Sequence, residues 1–388
     1  MRRTLTGVLC SVAVWGVVAP PAAATAGPAP RYLGTYGGFA DFVTDLNDAD
    51  VLVGTAQRAG HRGVPVRWDA TGRIHELAPW GRETTPVAIN DTGVVVGHTT
   101  VGDFRTHAVR WTGDRDVADL GTVPGYPDMW AVAVNDTGVI IGRAANGSRF
   151  LPVRWSPAGR MTGLPLPPRT DAGEALDLNE SGVAVGYVSG TGPGRPVRWD
   201  RAGRVTRLAM PGQRLDHTAA RSINDAGVVV GSGITPDGVD RVLRWDPAGR
   251  LAVLPTLPGT RWTEPLDIGR DGTVIGRSWT PSGIHPVKWG PDGRIVDLGT
   301  LPGGTAGDAA DIAPDGTVIG TSTQPGDVQH GVLWRPCGPA VDLGPVGEPF
   351  SPVGPLVINR RHTIGGAVRT ATGGYRAVVW NDPVPASP

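Results

Sequence analysis

Four aspartates, Asp45, Asp177, Asp267 and Asp311, each stand nine residues before a recurring glycine. Carboxylates repeated at one position could line a channel, hold a cation or act as acid and base, although hydrogen bonding within the framework is the reading favoured for them. His107, His285 and His330 share a second position, which Arg195, Arg241 and Arg376 occupy elsewhere, so no repeated metal site is expected. Neither an HExxH helix nor a GxSxG elbow occurs, and the Asp-Gly turns lack the alternating oxygens of a calcium loop. Cys337 has no evident base beside it, which argues against a thiol nucleophile. No catalytic residue, metal or cofactor is therefore assigned. The aromatic residues that fall outside the repeat pattern are stronger candidates: Trp80, Tyr126, Trp130, Trp262 and Trp279, with Phe350 beside them. Aromatics exposed on an extracellular protein suit sugar rings or a protein partner, against the alternative of local loop packing.

The first 26 residues have the layout of a secretory leader. Arg2 and Arg3 precede the apolar run "LTGVLCSVAVWGVV", and "AAATAG" provides small residues for cleavage, after Ala26 or alternatively Ala24. "RRTLT" leaves the Sec and twin-arginine routes both open. The expected mature protein is secreted, with a repeat domain over 27–382 and a short tail at 383–388. Once the leader is removed Cys337 would have no intrachain partner, so packing must supply the stability. Positive and negative side chains balance at 36 each, which argues against nucleic acid or a membrane surface as partner. A monomer is expected.

These candidates are positioned by a repeat. "INDTGVVVG" at 89–97 returns as "VNDTGVIIG" (134–142), "LNESGVAVG" (178–186) and "INDAGVVVG" (223–231). Its final glycine recurs as Gly54, Gly97, Gly142, Gly186, Gly231, Gly276, Gly320 and Gly366, at intervals of 43 to 46 residues. A tryptophan follows each, at Trp68, Trp111, Trp155, Trp199, Trp245, Trp289, Trp334 and Trp380. The opening asparagine is present six times and replaced by Gly269 and Ala313. Each unit carries four short β-branched runs separated by Gly, Asn and Asp, the pattern of a four-stranded meander. Repetition at this period predicts an all-β propeller of eight four-stranded blades, with an open or parallel β-solenoid as the alternative. The last unit stops after "YRAVVW", and "PRYLGT" near the start matches the fourth-strand phrase "VDLGT", so an N-terminal strand should close the ring.

The first and third turns keep constant length while the second and fourth connections vary, which makes one face of the ring the expected ligand face. The repeated tryptophans should wedge between blades. The basic residue before most of them (Arg67, Arg110, Arg154, Arg198, Arg244, Lys288) should pair with a strand aspartate such as Asp177 or Asp267.

"VDLGTLPGGTAGDAADIAPDGTVIG" (296–320), "HGVLW" (330–334) and "HAVRW" (107–111) together resemble the HAF family of extracellular repeats across nearly the whole mature chain. The resemblance implies a secreted bacterial repeat protein and carries no catalytic residues with it. The expected function is a non-enzymatic binding module for an extracellular glycan, peptide or protein. An extracellular propeller enzyme, such as a glycan hydrolase or lyase, is the alternative.

Overall fold

A computed structural model describes residues 24–102, 104–212, 215–260, 262–326, 328–348 and 353–382. Most of the expected leader, the tail and Phe350 lie outside these residues. The protein is an eight-bladed β-propeller, each blade an antiparallel four-stranded meander. First strands of successive blades contact each other around the whole ring, from Gly37–Leu46 of blade 1 to Gly354–Ile358 of blade 8 and back to blade 1, so they surround the axis. Among the described residues no helix forms, and none is long and apolar enough to cross a membrane.

The ring closes as the phrase "PRYLGT" implies. Arg31–Tyr32 supplies the fourth strand of blade 8, antiparallel to Tyr375–Asn381, with Arg31 opposite Val379 and Tyr32 opposite Val378. Leu33 is buried, and the Gly34 carbonyl accepts the indole N–H of Trp68. A second attachment has no counterpart in the repeat: Thr25–Ala26 runs parallel to Val341–Gly347, the outermost strand of blade 7. Cleavage after Ala26 would remove this strand, and cleavage after Ala24 would keep it.

The apolar core lies between the blades. One cluster joins Val96, Ala108 and Leu120 of blade 2 to Met129, Ile140, Val153 and Trp155 of blade 3, and every other seam has its equivalent. A single four-stranded sheet buries little apolar area, so the blades are stable only as neighbours. The repeat residues tie these seams together. Seven of the tryptophans donate their indole N–H to a backbone carbonyl near the outer strand of the preceding blade, as Trp111 does to Ala78 (2.8 Å) and Trp155 to Leu120 (2.8 Å). Trp334 is buried without such an acceptor.

The arginines before the tryptophans do bridge blades, but not to Asp177 or Asp267. They reach forward to the third turn of the next blade and donate to backbone carbonyls there: Arg110 to Pro157 (2.8 Å), Arg154 to Arg201 (3.0 Å), Arg198 to Pro247 (3.1 Å) and Arg244 to Pro291 (2.9 Å). Arg67 alone of these meets a carboxylate in this way, that of Asp114. A turn carbonyl is an acceptor that every residue type provides, so this partner leaves no mark in the sequence.

The asparagine does two jobs. Its Oδ1 caps its own turn, accepting the backbone N–H four residues on, as from Val139 to Asn135 (3.0 Å). Its Nδ2 donates to the backbone carbonyl of the equivalent residue one blade ahead: Asn47 to Asn90, Asn90 to Asn135, Asn135 to Asn179, Asn179 to Asn224, Asn224 to Gly269 and, across the closure, Asn359 to Asn47. Where Gly269 and Ala313 replace it, Asp271 and Asp315 cap Thr273 and Thr317 instead. The repeated glycine answers a bulge. Every first strand shifts register just before the "Asp45" position, and at Gly142 a Cβ would collide with the Trp130 carbonyl oxygen.

Deleting residues 27–34 should lower the thermal midpoint by on the order of 10 °C, because Leu33 and the Trp68 acceptor leave with the closing strand. A differential scan of the deletion beside the full mature chain checks this, and equal midpoints would contradict closure by that strand.

Candidate functional site

The structure places several of the aromatic candidates in strands. Trp262 opens the first strand of blade 6 (Trp262–Ile268), Trp279 lies in its second strand (Val274–Thr280), and Trp130 lies in the first strand of blade 3 (Asp128–Val134). Trp262 and Trp279 are cross-strand partners whose rings stack at 4.6 Å and 18°. Trp262 remains 56% exposed while Trp279 is half-buried. Beneath them Arg277 sits 5.1 Å over the Trp279 ring. Glu264 (2.9 Å) and Asp308 of blade 7 (2.8 Å) hold its guanidinium. Burial opposes the charge on Arg277, but the two carboxylates outweigh it and hold its pKa above the ordinary value. The result is a column: two carboxylates, a guanidinium, an indole and an exposed indole face.

Blade 3 has a related arrangement at the equivalent depth. Arg143 lies between the rings of Trp130 (5.0 Å) and Phe150 (5.2 Å) and pairs with Glu174 of blade 4, which also accepts from the Tyr187 hydroxyl. Burial and the Glu174 contact push the Tyr187 phenol up. Trp80 is separate from both. It stacks on His107 at 5.5 Å, and Asp119 holds that imidazole at 2.9 Å. Tyr126 is half-buried against the blade 3 core. The five candidates therefore occupy different places, and only Trp262 and Trp279 meet. Arg277, Glu264, Asp308, Arg143, Glu174 and Tyr187 were missed. One signal could have found Arg143, Tyr187 and Arg277: the residue after the repeated glycine reads Thr55, His98, Arg143, Tyr187, Ser232, Arg277, Thr321 and Ala367, variable beside an invariant neighbour.

The repeated histidines have a local task. His107, His285 and His330 each pair with the aspartate of "DLG" on the adjacent outer strand, Asp119, Asp297 and Asp342. Those aspartates in turn cap the following glycine N–H. Among the described residues no group of three or more His, Cys, Asp or Glu is arranged to hold a metal.

The four axial aspartates act as stitches between first strands. Asp45 accepts from its neighbour Leu46 and from Ile89 of the next blade (2.7 Å); Asp177 does so from Ile223 and Asp311 from Ile358. Ser222 Oγ lies 3.0 Å from Asp177 and 2.9 Å from Asp267. Burial raises Asp45 and Asp177 to about 6, and burial with the Asp267 charge raises Asp311 to about 7.

No protein-family model matches the chain, and no curated protein matches it in sequence. Solved structures do match its fold. It is similar to virginiamycin B lyase from Staphylococcus aureus, at 11% identity and TM-score 0.50, over 90% of this chain and 98% of that one. It is similar to dipeptidyl peptidase 4 from Porphyromonas gingivalis at 10% identity and TM-score 0.51, over 87% and 56%. A puromycin hydrolase S511A mutant matches at 17% identity and TM-score 0.51, over 92% and 62%. Identities this low establish the shared propeller architecture.

Asp45, Asp177 and Asp311 set a pH dependence. With folded pKa values above the ordinary carboxylate value, the native protein keeps protons that the unfolded chain has released between about pH 4 and 7. Stability contributed by these groups therefore falls as pH rises through that window and levels off above it. Urea midpoints from pH 4 to 8 should show a shallower decline in Asp311→Asn than in the parent. Identical slopes would show that Asp311 titrates normally.

Proposed function

We propose that the chain is a secreted, non-enzymatic propeller of the HAF-like kind that binds an extracellular glycan, and that the exposed face of Trp262 is its principal contact. The observation that carries this reading is the stacked column at blade 6. A large indole is held out to solvent at 56% exposure, while the residues behind it are fixed by two ion pairs and a cation–π contact. Pre-ordering of that kind reduces the entropy lost on binding and leaves an apolar plane suited to the C–H face of a sugar ring. The column stands at the end of the first strand that leads into the variable connections, where length differences between blades concentrate.

A hydrolase or lyase would need an accessible acid and base. Glu174 is 8% exposed, and both of its oxygens are engaged, by Arg143 and by Tyr187. Asp45, Asp177 and Asp311 are engaged with backbone amides, and Asp267 with the Ser222 hydroxyl. These occupancies favour binding over turnover.

Mature protein should bind members of a panel of soluble glycans and cell-wall polysaccharides, followed by tryptophan fluorescence. Trp262→Ala should weaken that binding by roughly thirtyfold, the loss expected of an interfacial aromatic anchor, without changing the melting temperature. Unchanged binding in Trp262→Ala, or no binding to any glycan, would overturn this reading.

A further inference from the structure

We infer that the seam between blades 3 and 4, on the face of constant turns, is a binding site for a multiply charged oxyanion, a phosphate or sulfate group. The seam opens into a groove of ≈ 640 Å³ lined by Arg154, Arg160, Arg201, Ser156 and Thr162 over a floor that includes Leu164 and Pro165. No carboxylate is among its lining residues.

The charge arises from two departures from the repeat. In blades 4 and 5 the third turn begins with an aspartate that holds the arginine four residues on: Asp200 with Arg204 and Asp246 with Arg250, each at 2.6 Å. Blade 3 reads "WSPAGR" where blade 5 reads "WDPAGR". Ser156 meets only the backbone N–H of Arg160, at 3.2 Å, so that guanidinium loses the carboxylate its counterparts have. Blade 4 reads "WDRAGR", placing Arg201 where blade 5 has Pro247. One substitution removes a negative charge, the other adds a positive one, and both face the same groove. Between them runs the half-buried Arg154, which donates to the Asp200 and Arg201 carbonyls. The nearby Asp200 carboxylate is occupied by Arg204 and by the Ala202 N–H. Desolvation lowers the pKa of Arg154, and the charge of Arg201 lowers it further while Asp200 opposes this. An anion entering the groove would relieve both penalties. Guanidinium forks with hydroxyls beside them are the donor set that phosphate and sulfate oxygens select. This site is independent of the blade 6 column and lies on the opposite face.

The test restores the repeat. Ser156→Asp with Arg201→Pro makes both turns read "WDPAGR", a sequence blade 5 already folds, so the variant should keep the parent's melting temperature. Calorimetry with inorganic phosphate, inorganic sulfate and a sulfated oligosaccharide should show salt-sensitive binding to the full mature chain that weakens roughly tenfold or more in the double variant. Preference for the oligosaccharide would identify an anionic glycan as the source of the group, and equal affinity for the inorganic ions a free anion. Absence of binding by all three probes, or binding unchanged in the double variant, would overturn the assignment.

Discussion

A blade of this protein has no core of its own. Its apolar side chains are buried only when the next blade lies against them, so the contact between sheets is the constraint on which everything else depends. The repeat phrase makes sense in that light. Trp reaches back to the previous blade, Arg reaches forward to the third turn of the next, and Asn reaches forward at the first turn. Each blade is thus held by buried area and by hydrogen bonds at several radii, which fixes its rotation as well as its distance.

Closure is where the pattern has to change. The last turn reads "NRRH" and the first "NDAD", so the terminal seam joins a basic turn to an acidic one. Arg360 pairs with Asp48 and Arg361 with Asp50, both at 3.0 Å, while Asn359 reaches the Asn47 carbonyl and the Asp50 carboxylate. Asp50 and His362 take the left-handed position that glycine fills in the other turns, with φ near 60°. His362 is 2% exposed and lies 3.0 Å from Asp315 and 3.6 Å from Asp382; the Asp315 contact leads in raising its pKa. Backbone strain of this kind persists where surrounding bonds over-determine it, and here they do.

The architecture was legible in the sequence because a propeller writes itself as periodicity. The tryptophan wedges, the hairpins and the closing "PRYLGT" strand all follow from spacing and strand composition. The arginine partners were not legible, since they are backbone carbonyls and carboxylates were expected instead. Asn was read only as one of the residues separating the strand runs, although its amide makes the longer reach between blades. Trp262 and Trp279 were recognised as outside the repeat pattern, but their places in strands were not legible, because the first and second strands of blade 6 run further toward the variable face than their apolar patterns suggest. Their stacking, and the Glu264–Arg277–Asp308 support behind it, depends on a cross-strand register that composition does not reveal.

The most direct test of the seam account is the unfolding free energy of Asn135→Ala. Asn135 is 2% exposed, caps Val139 and Thr137, and donates to the Asn179 carbonyl one blade on. Losing these bonds with their partners left buried should cost about 2–4 kcal/mol. A loss within about 0.5 kcal/mol, the range of an ordinary surface substitution, would contradict the claim that the repeated asparagine holds the blades together.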